Sequence, residues 1–243
     1  MRKAWLSWST GKDSAWALDA VRRRREVDVV ALLTTLNRTH SRVAMHAVRE
    51  DLLERQAEAA GLPLIKVFLP WPCPNQVYES AMAQALEQAR ADGVTHMIFG
   101  DLFLEDVRRY REEKLAGTGI QPLFPLWGLD TARLANSMIE AGVEARLTCV
   151  DPAKLGREFA GQLYNAALLA SFPGGVDPCG ENGEFHTFAF AGPMFKQPVE
   201  CSRGVTIERD GFVFADLIPA GDAQGRACAI PPGHSRENAN LQL

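Results

Sequence analysis

The sequence predicts an α/β fold, in which a Rossmann-like parallel sheet with helices on both faces is followed by a smaller α+β domain. Through the first half of the chain, short apolar runs alternate with helix-like segments that end at glycine. Strands that alternate with helices form parallel sheets covered on both faces. Near residue 128 prolines become frequent and the alternation stops, so we expect one domain over residues 1–128 and a second over residues 129–219.

The first domain is expected to contain four strands joined by helices. Apolar runs predict strands at residues 4–8, 27–34, 64–69 and 96–99. The intervening segments predict helices at residues 14–24, 44–60 and 75–92. Gly61 and Gly93 follow the second and third of these helices, and glycine commonly ends a helix because it adopts the left-handed conformation without strain.

The second domain is expected to mix helices with strands. Helices are predicted at residues 131–141 and 159–169, and strands at residues 145–150, 185–190, 199–207 and 212–217. The last two strands flank Arg209-Asp210-Gly211, which is typical of a hairpin turn. Residues 220–243 are polar and rich in Gly, Pro and Asn, so we expect a disordered tail.

Composition narrows the class of protein. The chain has 243 residues, of which 47% are hydrophobic and 23% charged, as in ordinary globular proteins. Its net charge of −4 argues against nucleic acid as a partner. The five cysteines include no Cys-x-x-Cys pair, which argues against a disulfide framework or a zinc ribbon and favours a reducing, cytoplasmic location. No apolar run approaches the length of a membrane span, so membrane association is not expected.

The hexapeptide between the first strand and the first helix predicts a phosphate site. It combines hydroxyls, a glycine and a lysine in one tight turn: Ser9, Thr10, Gly11, Lys12, Asp13 and Ser14. Backbone N–H groups at a helix N-terminus bind anions, and Lys12 adds a full positive charge. The turn is not a Walker loop, because Leu6 replaces the required glycine and Asp13 follows the lysine. The alternative is a capped helix start with a surface lysine.

Further polar residues fall at the carboxyl ends of the predicted strands, where parallel sheets bind ligands. Thr34 ends the predicted second strand and Asn37 follows it, so both are candidate ligand-binding residues. Asp13 and Asp101 are candidate Mg²⁺ ligands, because Mg²⁺ prefers carboxylate oxygens. For Asp101 the alternative is a helix cap.

A second motif lies between residues 179 and 187. Its carboxylates, amide, imidazole and thiol are separated by glycines, a composition that buries little apolar surface and is typical of functional loops. The candidate substrate-binding residues here are Gly180, Glu181, Asn182, Gly183, Glu184 and His186. The alternative is a polar turn with two solvated glutamates.

Together these motifs resemble a known family. The hexapeptide resembles the Ser-Gly-Gly-x-Asp-Ser signature of the N-type ATP pyrophosphatases, the PP-loop superfamily, with Thr10 in place of the first glycine. With Gly100-Asp101, the segment at 125–127 and the Gly-Glu-Asn-Gly-Glu-Phe-His-Thr stretch, the chain resembles the diphthine–ammonia ligase family from about residue 3 to 218. Asn182 stands where the diphthamide-forming branch more often has glycine, which leaves the acceptor open.

The resemblance implies an ATP-dependent ligase that adenylates a carboxylate, releases pyrophosphate and transfers ammonia to form an amide. It implies that Lys12 and Mg²⁺ neutralise the leaving group, and that Glu181 or Glu184 acts as a general base.

The resemblance also implies that the adenine of ATP lies near Thr34 and Asn37, where backbone groups would read it. His46 is expected to contact the substrate, and so is one arginine of Arg108, Arg109 and Arg111, for which we choose Arg108; the alternative for these arginines is a solvated helix face. The substrate is either a small carboxylate or a modified protein side chain. A homodimer is also expected.

Two other functions remain open from the sequence. One is a PP-loop enzyme that modifies tRNA, since Cys179 would suit sulfur transfer. The other is a sensor that binds ATP or AMP without turnover, although the two glutamates of the second motif would then have no role.

Overall fold

The computed structural model describes residues 1–38, 42–43 and 46–221. Two sheets, each with its own helices, account for the two parts of the chain, which confirms the predicted fold class. Residues 222–243 of the expected tail lie outside the described residues. The domain boundary near residue 128 stays a prediction.

The first sheet contains a parallel core of five strands in the order β4-β2-β1-β5-β6. Its strands are β1 (Lys3–Ser7), β2 (Asp28–Asn37), β3 (Arg42–Val43), β4 (Leu64–Leu69), β5 (Val94–Ile98) and β6 (Gln121–Leu123). The short β3 runs antiparallel to the last two residues of β2. The chain moves outward from β1 to β4 and then returns to β5 on the other side. This reversal places a crevice at the carboxyl ends of β1 and β5, where such sheets bind ligands.

Four helices cover this sheet: α1 (Lys12–Arg24), α2 (Glu50–Ala60), α3 (Asn75–Ala91) and α4 (Glu105–Leu115). Helices α1 and α2 pack into one hydrophobic cluster and α3 and α4 into another, on opposite faces of the sheet. Gly61 follows α2 with a φ of 68°, as predicted. The predicted start of α2 at residue 44 was wrong, because the backbone bonds between Val43 and Val48 form a turn before the helix begins.

The second sheet is antiparallel, with the order β8-β7-β10-β9. Its elements are α5 (Thr131–Glu140), β7 (Glu144–Val150), α6 (Ala166–Ala170), β8 (Phe185–Ala191), β9 (Cys201–Arg209) and β10 (Phe212–Pro219). The predicted helix over residues 159–169 was wrong. Gly161, with a φ of 81°, instead bonds to β7 through Leu147, and the side chain of Asn165 caps a new, shorter helix.

The two sheets are joined through buried polar contacts. Asp216 on β10 accepts hydrogen bonds from Arg42 and Arg49 at 2.9 and 2.7 Å. The N–H of Ala189 on β8 donates to the carbonyl of Thr10 at 3.0 Å. The second sheet therefore packs directly against the turn that precedes α1, and both parts of the chain contribute to the crevice.

Candidate active site

The phosphate loop, residues 9–14, joins β1 to α1 and is packed tightly against its neighbours. A Cβ atom on Gly11 would lie 2.9 Å from Cε1 of His46. A Cβ atom on Gly100, just after β5, would lie 3.0 Å from the backbone nitrogen of Ser14. Both glycines are therefore required by close approach, and they leave the first turn of α1 open toward the crevice.

Lys12 is the central contact of this loop. Its side chain is 2% exposed, and Nζ donates to Asp13 Oδ2 at 2.8 Å and to the carbonyl oxygen of Cys179. Its backbone N–H donates to Thr187 Oγ1 at 3.1 Å. Burial acts to lower the pKa of Lys12, but Asp13, Cys179 and Asp177 together outweigh it and raise this pKa above the ordinary value. The alternative of a capped helix with a surface lysine was wrong.

Thr10 replaces the first glycine of the family signature at a strained position. Its φ is 71°, in the left-handed region that disfavours β-branched residues. Its carbonyl accepts bonds from Ala189 N–H and from Nε2 of Gln56, at 3.0 and 2.9 Å. Its buried Oγ1 has no hydrogen-bond partner in the part of the chain that the structure describes. The surrounding contacts hold a backbone conformation that glycine would adopt freely.

The two candidate Mg²⁺ ligands differ in their surroundings. Asp13 Oδ1 is buried and has no partner among the described residues. Asp101 accepts two bonds from Arg111, at 2.8 and 3.1 Å, and the guanidinium packs on the ring of Phe99. Asp101 does not cap α4, whose first turn has no side-chain cap. Of these two candidates, Asp13 is therefore the one with a carboxylate oxygen that has no partner among the described residues.

The acidic loop, residues 177–184, precedes β8 and contains the two glutamates of the second motif. Oε1 of Glu181 accepts the backbone N–H of Leu102 at 2.7 Å. Burial, reinforced by the charges of Asp13 and Asp101 and opposed by the Leu102 bond, raises the pKa of Glu181 to about 8. Glu181 therefore exchanges a proton near neutral pH, as general acids and bases do.

Glu184 is bonded inside the acidic loop. Its side chain is 3% exposed, and Oε1 accepts the N–H of Asp177 at 3.0 Å and the amide of Asn182 at 3.2 Å. These bonds close the loop around the carboxylate. The alternative of two solvated glutamates was therefore wrong, and the two glutamates have different surroundings.

One cavity of about 100 Å³ is lined by both loops. Its wall brings together the following predicted residues: Ser9, Lys12, Asp13, Ser14, His46, Asp101, Gly180, Glu181, Gly183 and His186. Arg108, Asn182 and Glu184 do not line it. Arg108 instead bonds Glu112 at 2.7 Å and lies over the rings of Phe124 and Trp127.

A larger cavity of about 530 Å³ adjoins the first, and the two share Ser7, Ser9, Phe99 and Arg111. It lies between the sheet and helices α3 and α4, with mostly apolar walls that include Leu33, Met82 and Leu86. Thr34 lines it and donates through Oγ1 to the carbonyl of Trp8 at 2.8 Å. Asn37 is buried at the end of β2 but does not line this cavity.

Of the three arginines considered on α4, Arg111 and not the predicted Arg108 lies at the site. Arg111 lines both cavities. A signal was present: Val107, Arg111 and Leu115 are spaced four residues apart and form the buried stripe of α4. An arginine on the apolar stripe of a helix is directed inward and needs a buried carboxylate partner, which Asp101 provides.

Two histidines meet in the smaller cavity. The ring centroids of His46 and His186 are 4.7 Å apart, and Nδ1 of His46 lies 3.0 Å from the carbonyl oxygen of Thr187. Burial and the nearby charge of Lys12 lower the pKa of His46 to about 4, and burial holds the pKa of His186 well below its ordinary value. Both imidazoles are therefore neutral near pH 7.

Cys179 does not have the surroundings of a reactive thiol. Its Sγ lies 3.4 Å from the carbonyl of Thr131, and burial raises the pKa of the thiol far above its usual value. The described cysteines are all free: Cys73, Cys149, Cys179 and Cys201. A sulfur-transfer role, which needs a thiolate, is not favoured.

Fold and site together define an α/β protein with a Rossmann-like domain of the PP-loop type, followed by a smaller α+β part. Sequence models of the diphthamide synthase N-terminal and C-terminal domains match residues 1–121 and 130–214. The chain therefore belongs to the diphthamide synthase family, that of the diphthine–ammonia ligases, as the two motifs predicted.

Curated proteins with similar sequences carry the name of the same family. The diphthine–ammonia ligase of Danio rerio is 34% identical over 54% of this chain and 52% of its own length. Those of Rattus norvegicus and Homo sapiens are 33% and 32% identical, each over 45% of this chain and 44% of its own length. The chain thus aligns with about half the length of these relatives. The helices that the structure describes are each too short or too polar to span a lipid bilayer.

Proposed function

We propose that this protein is an ATP-dependent ligase that converts the carboxylate of a diphthine-bearing acceptor to an amide. The observation that carries this proposal is the cavity shared by the phosphate loop and the acidic loop. Lys12 contacts both loops, through Asp13 and the carbonyl of Cys179. A phosphate-binding turn and a titratable carboxyl, Glu181, therefore face one small space, as a reaction between a nucleotide and a second substrate requires.

ATP fits the two adjoining cavities. The phosphate loop would hold the phosphates, since its glycines leave room and Lys12 supplies a cation. The adenine would enter the larger cavity beside Leu33 and Thr34. Mg²⁺ commonly binds one or two carboxylates together with substrate phosphates, and Asp13 Oδ1 is suited to this role. Bound there, Mg²⁺ would neutralise the charge of the departing pyrophosphate.

The residues then have separate chemical roles. An oxygen of the acceptor carboxylate attacks the α-phosphorus of ATP, and pyrophosphate leaves with its charge stabilised by Lys12. Ammonia attacks the activated carbonyl carbon, so that a C–N bond forms and the C–O bond to AMP breaks. Glu181, as carboxylate, takes the proton that the nitrogen loses.

Diphthine is favoured as the acceptor over a small carboxylate because the relatives carry the name diphthine–ammonia ligase. The departure at Asn182 does not argue against it. The amide of Asn182 is bonded to Glu184 within the acidic loop and does not line the cavity. A cytoplasmic location and a homodimer remain predictions, the first supported by the free cysteines.

The proposal is tested by incubating the purified protein with Mg-ATP, ammonium chloride and a diphthine-bearing acceptor protein. AMP, pyrophosphate and amide are expected in equal amounts, and omission of ammonium should abolish the amide. ADP and phosphate as products would contradict the proposal. Tight ATP binding without turnover would favour the sensor function instead.

A further inference from the structure

The two imidazoles of the smaller cavity have unused hydrogen-bonding capacity. His46 and His186 both line this cavity. The ring of His186 makes no hydrogen bond to the described residues, and His46 makes one, through Nδ1. His46 is buried and His186 is partly buried at the wall of the cavity, so their remaining ring nitrogens are available to a ligand that donates hydrogen bonds.

The tautomer of His46 follows from its one bond. The carbonyl oxygen of Thr187 can only accept, so Nδ1 of His46 carries the proton and donates at 3.0 Å. In a neutral imidazole the other nitrogen is then an acceptor. Nε2 of His46 therefore presents a lone pair beside the phosphate loop, because its ring neighbour Cε1 lies next to Gly11.

The charged groups of the same cavity are already engaged. Lys12 is paired with Asp13 Oδ2, and Arg111 is paired with Asp101, both at 2.8 Å. Glu181 accepts the N–H of Leu102. Asp13 Oδ1 lies on the phosphate loop, where a metal or phosphate is expected. The imidazoles are the uncharged ring acceptors of this cavity, and the ammonium of Lys12 disfavours a second cation beside them.

We propose that His46 and His186 form the binding site for the nucleophile, neutral ammonia, and hold it through N–H···N bonds to the imidazole nitrogens. This inference rests on the proposed ligase function. Bound in this way, ammonia keeps its own lone pair free to attack the activated carboxyl. The site selects a small neutral molecule with several N–H donors, since neither a carboxylate nor a second cation matches its acceptors.

Two variants test the site separately. His46→Asn keeps an N–H donor near the position of Nδ1 and removes the acceptor Nε2. His186→Phe keeps an aromatic ring and removes its nitrogens without breaking a bond that the structure describes. Loss of one or two hydrogen bonds should raise the KM for ammonium chloride about tenfold in each variant. ATP–pyrophosphate exchange, which needs no ammonia, should fall by much less.

The matched control is His96→Asn, because His96 is a buried histidine on β5 that lines neither cavity. Its KM for ammonium should match that of the wild type. An unchanged KM in both site variants overturns the inference while the ligase function stands. An equal loss of exchange activity does so too, because the histidines would then only shape the phosphate loop. A wild-type protein that forms no amide removes the proposed function itself.

Discussion

The phosphate loop and the acidic loop face the same cavity but are held in different ways. The phosphate loop is fixed by backbone packing, since Gly11 and Gly100 admit no side chain. The acidic loop is held by the carboxylate of Glu184, which accepts hydrogen bonds from the N–H of Asp177 and the amide of Asn182. The phosphate loop therefore depends on positions without side chains. The acidic loop depends on one of its two glutamates, Glu184, for its conformation.

The sharpest test of this difference separates the two glutamates. Glu181→Gln should lower the rate of amide formation about 10²- to 10⁴-fold, because a general base is lost while the acceptor for Leu102 N–H is kept. Glu184→Ala should instead lower the free energy of unfolding by about 1–3 kcal/mol, because the buried N–H of Asp177 and the partly buried amide of Asn182 lose their acceptor. The rate of amide formation and the unfolding of each variant in urea measure these two effects. The opposite pattern would assign the base to Glu184.

Removing the lysine that connects the loops should have the next largest effect. Lys12→Met is expected to lower the rate about 10²- to 10³-fold, because the charge that stabilises the leaving group is lost. The control is Lys66→Met, which breaks a partly exposed pair with Glu50 and should change little. Retention of more than a tenth of the wild-type rate by Lys12→Met, measured as AMP release, would contradict the proposed role.

The raised pKa of Glu181 predicts a pH profile. The general base must be ionised, so the rate at a constant concentration of neutral ammonia should rise about tenfold per pH unit below about 8 and level off above it. Glu181→Gln should lack this inflection. Native Glu181 keeps its proton between pH 4.5 and about 8, whereas the unfolded chain releases it, so this group makes stability fall as pH rises through that range.

The packing of the phosphate loop is tested by adding one methyl group. Gly100→Ala should lower the free energy of unfolding by about 1–3 kcal/mol and weaken ATP binding, because its Cβ would press on the backbone of Asp13 and Ser14. At Gly174 a Cβ meets nothing within 4 Å, so Gly174→Ala is a neutral control. Equal melting temperatures for the two variants would show that the loop yields to the added methyl.

The smallest expected effect concerns Thr10. Thr10→Gly and Thr10→Ala remove similar atoms, but only glycine relieves the left-handed backbone. We expect the glycine variant to be more stable than the alanine variant by about 1 kcal/mol, the reverse of the usual order within a helix or strand. Equilibrium unfolding of the pair measures this difference directly, and a more stable alanine variant would mean that the backbone is not strained.

The same contrast explains what the sequence could reveal. The six residues of the phosphate loop are contiguous in sequence and directly follow a strand. The loop and its position after that strand could therefore be predicted together. The acidic loop could be recognised as a motif. The roles of Glu181 and Glu184, however, depend on hydrogen bonds to Leu102 and Asp177, which form only when the chain folds. The strand β6 was missed because it contains Pro122, and proline is tolerated only at a sheet edge such as this one.

Other parts of the site depend on long-range contacts that no local pattern encodes. His46 and His186 lie far apart in the chain and meet only when β8 packs against the phosphate loop. The predicted helix over residues 159–169 had suitable helix formers, but bonds from Gly161 and Gln162 to β7 hold that segment against the second sheet. Tertiary pairing overrode local propensity there.

The contacts that cross from β8 to the phosphate loop bear on how such chains can diverge. Thr187 and the carbonyl of Cys179 receive bonds from Lys12, and the N–H of Ala189 holds Thr10. A hybrid gene that joined the first half of one relative to the second half of another would combine Lys12 with acceptors from a different protein. We therefore expect recombination between the halves to be poorly tolerated, so that they are inherited as a single unit.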